Sequence, residues 1–217
     1  MKPQLLIACD FDGTVTRQDT LVEILDRFGS AQWRKTQDQV VAGALSIREG
    51  LQQEMGTVQA DEATLREFLK DRIELAAGFP SFFRKMRRLG VPLVLLSGGF
   101  DLCVETVMTQ AGLWPAPVLA NRLSRKNGSW QVEYPYPSAA CSACGHCNAD
   151  PIRAWNQRGY VTVFAGNGVT DRCAAPEAGL TFAKDELGDW CRTQGIPYVP
   201  FGTFEDLDRE LTGRGWI

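Results

Sequence analysis

Two aspartates separated by one residue, Asp10 and Asp12, follow a short apolar run and precede Gly13. On a tight turn, two carboxylates at this spacing can face one site, because glycine lets the chain bend sharply. Carboxylates bind hard cations such as Mg²⁺. One aspartate can also attack phosphorus to form an acyl phosphate while the second donates a proton to the leaving oxygen. A surface turn rich in Asp and Gly is the structural alternative.

The composition limits other chemistry and other partners. Among 217 residues there is one histidine, His146, so acid–base chemistry falls to carboxylates. A formal net charge of −3 disfavours non-specific binding to nucleic acid. The longest apolar run, at 91–96, is too short to cross a membrane, and no signal peptide is recognisable. We therefore expect no nucleic-acid or membrane partner and a cytoplasmic location, and we leave open whether the protein is a monomer or a homodimer.

The elements that must position the aspartates can be read from short apolar runs. Residues 4–9, 91–96 and 160–165 have the length and composition of strands that are buried on both faces. Helical patterns precede the second and third runs. This alternation predicts an α/β fold, a doubly wound, Rossmann-like parallel sheet. Such sheets bind ligands at the carboxyl ends of their strands, which is where Asp10 and Asp12 fall.

The long segment between the first two strands predicts an insertion. Four helical patterns, at 20–28, 31–41, 46–55 and 61–75, lie within it. We predict a core of residues 1–16 and 78–217 and a helical cap of residues 17–77; the alternative is that these helices only cover the sheet. Farther along, Asn127-Gly128 between alternating stretches predicts a β-hairpin.

Three successive strand ends carry segments that resemble the motifs of one family. These are Asp10-Phe-Asp-Gly-Thr-Val-Thr16, Ser97-Gly-Gly99 and Gly166-Asn-Gly-Val-Thr-Asp171, in the order found in haloacid dehalogenase-like phosphatases. The resemblance covers nearly the whole chain. It implies Mg²⁺-dependent hydrolysis of a small phosphorylated metabolite through an aspartyl-phosphate intermediate.

The resemblance also implies a role for each matching residue. Asp10 would be the nucleophile, and Asp12 the general acid and later the base. The phosphate would be held after the second strand by Ser97, Gly98 and Gly99. Mg²⁺ would take oxygen ligands from the first and third motifs, namely Asp10, Asp12, Asn167 and Asp171.

Two further segments narrow the resemblance within the family. Leu45-Ser-Ile-Arg-Glu-Gly50 and the cysteine-rich loop before residue 148 are similar to a methionine-salvage subgroup of these phosphatases. The phosphoserine phosphatase subgroup is the alternative. Arg48 is the candidate in the cap for binding substrate, and a solvated helix charge is its alternative role.

Two positions depart from the family's pattern. Asn167 stands where an aspartate is usual, and Asn148 stands where a lysine is expected. The nearest cation, Arg153, is the candidate to replace that lysine in binding phosphate, although guanidinium and ammonium groups are not equivalent. A catalytically weak or inactive phosphate-binding relative is therefore a second hypothesis.

The cysteine loop allows three interpretations. Cys141, Cys144 and Cys147, with His146, are the ligand types of a structural Zn²⁺ site. A redox pair of Cys141 and Cys144 is the second interpretation, and a loop with only a structural role is the third.

Overall fold

The computed structural model describes residues 3–138 and 144–217. Its centre is a seven-stranded sheet in which the first strand of the chain lies in the middle, in the order β4-β3-β2-β1-β5-β6-β7. All neighbours are parallel except β3 and β4, which form an antiparallel edge hairpin. The strands are β1 (Leu5–Asp10), β2 (Leu93–Phe100), β3 (Val118–Lys126), β4 (Ser129–Glu133), β5 (Val161–Gly166), β6 (Leu180–Ala183) and β7 (Val199–Pro200).

Both faces of the sheet are buried, as the predicted α/β fold requires. Alternate side chains of β1 enter different cores: Leu5, Ile7 and Cys9 join one hydrophobic cluster, and Leu6 and Ala8 join the other. The predicted doubly wound α/β fold is confirmed, with the correction that the sheet is mixed at its β3–β4 edge. Asn127 and Gly128 both have positive φ, 51° and 82°, which is the conformation of a tight hairpin turn.

The helices account for most of the remaining chain. They are α1 (Thr20–Phe28), α2 (Trp33–Val41), α3 (Ile47–Gly56), α4 (Glu62–Arg72), α5 (Phe79–Leu89), α6 (Asp101–Gln110), α7 (Ala149–Gln157), α8 (Asp185–Gln194) and α9 (Phe204–Gly213). Within the described ranges, no helix is long and apolar enough to span a bilayer.

Helices α1 to α4 form the segment between β1 and α5. The chain enters and leaves this segment through adjacent, paired backbone: the Arg17 N–H donates to Glu74 O at 2.9 Å, and the Ala76 N–H donates to Val15 O at 2.8 Å. Helix α3 begins at a capping box formed by Ser46 and Glu49. The division at residues 17 and 77 into core and cap stays a prediction.

The helical segment is also bonded to the edge hairpin. The Gln52 side chain pairs with the β4 backbone, accepting from the Val132 N–H at 3.0 Å and donating to Trp130 O at 3.3 Å. The Trp130 indole N–H donates to Ala60 O at 3.0 Å. Because edge strands leave backbone groups unpaired, the hairpin supplies a ready surface for these bonds.

Candidate functional site

The site lies where β1, β2 and β5 end. Asp10 pairs in register with Leu96, and Cys9 pairs with Ala165, so the segments that follow the three strands start at one level of the sheet. Asp10 is only 5% exposed, and Ser97 and Asp171 are completely buried. The topology therefore brings together the three segments in which the motifs were recognised.

A sharp turn after β1 positions Asp10 and Asp12. Gly13 has φ +76°, and a Cβ added there would lie 2.5 Å from the Asn167 side chain. The turn closes when the Thr16 N–H donates to Phe11 O at 3.0 Å. Only glycine satisfies both the backbone conformation and the close approach of Asn167.

The Asn167 amide faces a cluster of oxygen atoms. One amide position lies 3.1 Å from Asp10 Oδ2, 3.1 Å from the Asp12 backbone oxygen and 2.9 Å from Thr14 Oγ1. With its nitrogen in that position, the amide donates to these oxygens; with its oxygen there, it completes a set of oxygen ligands. Oxygens around an octahedral Mg²⁺ are about 3 Å apart. The residues present therefore fit Mg²⁺.

Asp12 is held toward Ser97 by the start of α1. Its Oδ1 accepts from the backbone N–H and the hydroxyl of Thr20 at 2.8 and 2.6 Å, and its Oδ2 lies 3.4 Å from Ser97 Oγ. Burial, followed by the nearby charge of Asp19, raises the pKa of Asp12 to about 7. A carboxyl with this pKa can both donate and accept a proton near neutrality.

Asp171 joins the turn after β5 to the start of α7. It accepts from the backbone N–H groups of Asn167 and Gly168 at 3.0 and 3.1 Å, and from Asn148 Nδ2 at 2.9 Å. Burial raises the pKa of Asp171 to about 6, while these hydrogen bonds oppose the shift. Asn148, the position at which the resemblance leads us to expect a lysine, thus contacts Asp171.

Burial and the neighbouring negative charges disfavour the ionised form of Asp10. The pKa of Asp10 is raised well above its usual range, first by burial and then by the charges of Asp171 and Asp12. Within residues 3–138 and 144–217, no lysine or arginine side chain is hydrogen-bonded to any of the three carboxylates. A bound cation would relieve this repulsion.

Ser97 lies in an irregular part of β2. The register between β2 and β3 shifts between Ser97 and Phe100, and this bulge takes the two glycines out of regular pairing. Ser97 Oγ accepts from the Gly99 N–H at 3.0 Å, and Asn121 Nδ2 donates to Gly98 O at 2.7 Å. Helix α6 begins directly afterwards, so its N-terminus follows the bulge.

A matched pair of glycine variants tests this packing. In Gly99→Ala, the new Cβ would lie 2.9 Å from Asp12 Oδ2 and 3.2 Å from Ser97 Oγ, whereas a Cβ on Gly98 meets nothing within 4 Å. We expect Gly99→Ala to lower kcat about 10- to 100-fold, because misplacing reacting groups is costly. Gly98→Ala should lose clearly less, as measured by phosphate release. Equal losses would contradict the proposed close approach of Gly99 to the two side chains.

Comparison with known proteins decides the family. A family model described as haloacid dehalogenase-like hydrolase matches residues 7–176. The chain belongs to this family. The predicted family is thereby confirmed, as is the prediction that the protein is a hydrolase of this kind.

Curated relatives and solved structures agree with the family. A protein of Bacillus pumilus named 2-hydroxy-3-keto-5-methylthiopentenyl-1-phosphate phosphatase is 30% identical over 95% of this chain and 90% of its own length. One of the same name from Bacillus cytotoxicus is 31% identical over 94% of both chains. A structure titled as the phospho-aspartyl intermediate analogue of phosphoserine phosphatase has a TM-score of 0.70 at 20% identity, covering 97% of this chain and 99% of the other. This last likeness concerns the fold.

Two of the predicted site residues are bonded to groups other than the three carboxylates. Arg153 pairs with Glu177 at 2.8 Å and with Asp150, so its guanidinium is engaged by one carboxylate on α7 and one beyond β5. The residue in contact with Asp171 is instead Asn148. Arg48, on α3, donates through Nε to Cys144 O at 3.0 Å. Its contact is therefore with the loop that leads into α7.

The predicted zinc site falls partly on Cys141, which lies outside the described residues. Among the residues that the structure describes, Cys144, His146 and Cys147 belong to no group of three or more His, Cys, Asp or Glu side chains that could hold a metal ion. His146 is 6% exposed and packs edge-on against Tyr136. Burial lowers the pKa of His146 to about 4, so the ring is neutral.

Two polar residues that support the site were not predicted from the sequence. Thr20 holds Asp12, and Asn121 holds the bulge at Gly98. Thr20 opens α1, where backbone N–H groups have no partner within the helix, so an acceptor nearby was a reasonable expectation. No signal in the sequence pointed to Asn121, because its contact crosses from β3 to β2.

Proposed function

We propose that this protein is a Mg²⁺-dependent phosphoric monoester hydrolase that acts on a small phosphorylated metabolite through an aspartyl phosphate. One observation carries the proposal: the ends of adjacent strands bring together the Asp10 carboxylate, the Asp12 backbone oxygen and the Asn167 amide in a set that fits a divalent cation, with the Asp12 carboxylate 3.4 Å from the Ser97 hydroxyl. The family and the curated relatives support the same enzyme class.

Asp10 and Asp12 divide the proposed reaction between them. An Asp10 oxygen forms a bond to phosphorus as the bond to the ester oxygen breaks. Asp12 gives its proton to the leaving alkoxide and later takes one from the water that hydrolyses the acyl phosphate. Ser97 and the backbone N–H groups at Gly98 and Gly99 hold phosphoryl oxygens. Mg²⁺, when bound by Asp10, the Asp12 backbone oxygen, Asn167 and the Asp171 turn, would offset the charge of the phosphate and of Asp10.

We propose the phosphate ester of methionine salvage, 2-hydroxy-3-keto-5-methylthiopentenyl-1-phosphate, as the first substrate to test. Its support is the name shared by the relatives at 30% and 31% identity. Phosphoserine is the second candidate, and the fold of phosphoserine phosphatase favours it. Both are small phosphomonoesters, and the proposed mechanism applies to either of them.

Arg48 is proposed to contact the substrate from the helical cap. Its guanidinium lies 5.2 Å from the centre of the Tyr134 ring, and Tyr134 Oη donates to Arg48 O at 2.7 Å. Together with the bond from Arg48 Nε to Cys144 O, these contacts hold the arginine against the segment that follows β4. We also propose that the protein acts in the cytoplasm as a monomer or homodimer, with residues 17–77 as its cap and without nucleic-acid or membrane partners.

Phosphate release tests the proposal. The purified protein is incubated with the methionine-salvage ester, phosphoserine and a panel of other phosphomonoesters, with Mg²⁺ or with excess EDTA. We expect Mg²⁺-dependent release, fastest with the first ester. If no phosphate is released from any ester, the second hypothesis is favoured, that of a weak or inactive phosphate-binding relative. Its basis is that Asn148 and Asn167 depart from the family's pattern.

A further inference from the structure

Asp171 is bonded to both segments that carry the site's two amides. Asn148 is 3% exposed and donates from Nδ2 to Asp171 Oδ1 at 2.9 Å. The backbone N–H of Asn167 donates to Asp171 Oδ2 at 3.0 Å, while its side-chain amide lies 3.1 Å from Asp10 Oδ2. The two amides therefore contact the same acidic cluster, Asn148 at Asp171 and Asn167 at Asp10.

Neither amide changes the charge of that cluster. Asp10 and Asp171 are both buried carboxyl groups, and Asn167 contacts both of them. A lysine at position 148 would add one positive charge beside Asp171. An aspartate at position 167 would add one negative charge beside Asp10. Either change alone shifts the local charge by one unit, and both together leave it unchanged.

We infer that Asn148 and Asn167 are a charge-balanced pair of positioning residues, in which two neutral amides do the work of an oppositely charged lysine and aspartate. The active site then depends on the summed charge at the two positions and not on the charge at each. If Asn148 and Asn167 were instead two independent defects, Asn148→Lys and Asn167→Asp would each raise turnover on their own.

The pair has a direct consequence for cation binding. In Asn148→Lys, the ammonium group would compete with a divalent cation for the same carboxylates. In Asn167→Asp, a fourth carboxylate would strengthen cation binding but increase repulsion when no cation is present, and it would repel the phosphate of a substrate. Interactions between charges are strong in a buried site, so each single change should be clearly measurable.

The test compares the wild type with Asn148→Lys, Asn167→Asp and the double variant. Binding of Mg²⁺ alone is followed by calorimetry, and the metal-free proteins are melted in EDTA. We expect Asn148→Lys to weaken Mg²⁺ binding and Asn167→Asp to tighten it, each by about tenfold, with the double variant near the wild type. The melting temperature without metal should fall in Asn167→Asp and recover in the double variant.

Turnover gives the sharper readout, and it rests on the proposed function. Each single variant should release phosphate more slowly than the wild type, and the double variant should be faster than either. A single Asn167→Asp change that raises turnover would overturn the inference, as would a double variant slower than both singles. If the wild type releases no phosphate at all, the proposed function fails, yet the Mg²⁺ and melting measurements still decide the charge balance.

Two controls separate charge from size and from distance. Asn148→Met adds length without charge, so weaker Mg²⁺ binding equal to that of Asn148→Lys would contradict a charge effect. Gln157→Lys places the same charge on an exposed position of α7 and should leave Mg²⁺ binding unchanged. If Asn148→Lys does not fold, Asn167→Asp alone still decides the outcome by the direction of its turnover change.

Discussion

Asp10→Asn is expected to abolish phosphate release, with a loss of about 10⁴-fold or more in kcat, because an amide cannot replace the attacking carboxylate. The change keeps the shape of a side chain that is 5% exposed. It also removes a carboxyl group whose pKa is raised by burial and by its acidic neighbours. Phosphate release with the best substrate of the panel measures the effect.

The metal-free variant should also be more stable than the wild type at pH 8. A raised pKa in the folded state means that ionisation of Asp10 opposes folding as the pH rises above the ordinary range of an aspartate, and asparagine avoids this cost. Asp189→Asn, the same change on an exposed side chain of α8, is the matched control and should alter neither property. An Asp10→Asn protein that folds and keeps its activity would exclude Asp10 as the nucleophile.

Asp12→Asn is expected to show an effect that depends on the leaving group. With an alkyl phosphate, the leaving alkoxide needs a proton, so the loss should be about 10²- to 10⁴-fold. With p-nitrophenyl phosphate, the leaving phenolate is stable without a proton. The first step should then remain fast while hydrolysis of the aspartyl phosphate is slow, because the amide that replaces the Asp12 carboxylate cannot activate water.

Rapid mixing of Asp12→Asn with p-nitrophenyl phosphate measures this directly. We expect a burst of nitrophenolate approaching one equivalent per chain, followed by slow turnover. Thr20→Ala is the companion variant, since the Thr20 hydroxyl holds Asp12 Oδ1 at 2.6 Å. It should show a smaller loss without a burst. Equal losses with both types of ester in Asp12→Asn would rule out an acid role.

Much of the fold followed from local patterns in the sequence. The apolar run before Asp10 has the length and composition of a buried strand, and the alternation of such runs with helices predicts a doubly wound parallel sheet. Asn127-Gly128 predicts its hairpin because both residues tolerate positive φ. What the pattern missed was that β3 and β4 of this hairpin join the central sheet, which makes the sheet mixed at one edge.

Features that depend on contacts between distant segments did not follow in the same way. The strand predicted to end at residue 96 continues to Phe100, because a bulge lets β2 pair again with β3 beyond the glycines. The sequence identified Asn148 as a departure from the family's lysine. Its bond to Asp171, 23 residues away, could be seen only in the folded structure. Arg153 was the nearest cation in sequence, and only its pairing with Glu177 and Asp150 reveals that it is engaged elsewhere.

The most direct test of the mechanism is to find the covalent intermediate. Asp12→Asn is mixed with p-nitrophenyl phosphate and Mg²⁺, quenched in acid within one turnover, and digested for peptide mass spectrometry. We predict one phosphoryl group per chain, on the peptide that contains Asp10, and none in the variant that carries both Asp10→Asn and Asp12→Asn. A phosphoryl group on another residue, or a burst of nitrophenolate with no phosphorylated peptide, would contradict the proposed mechanism.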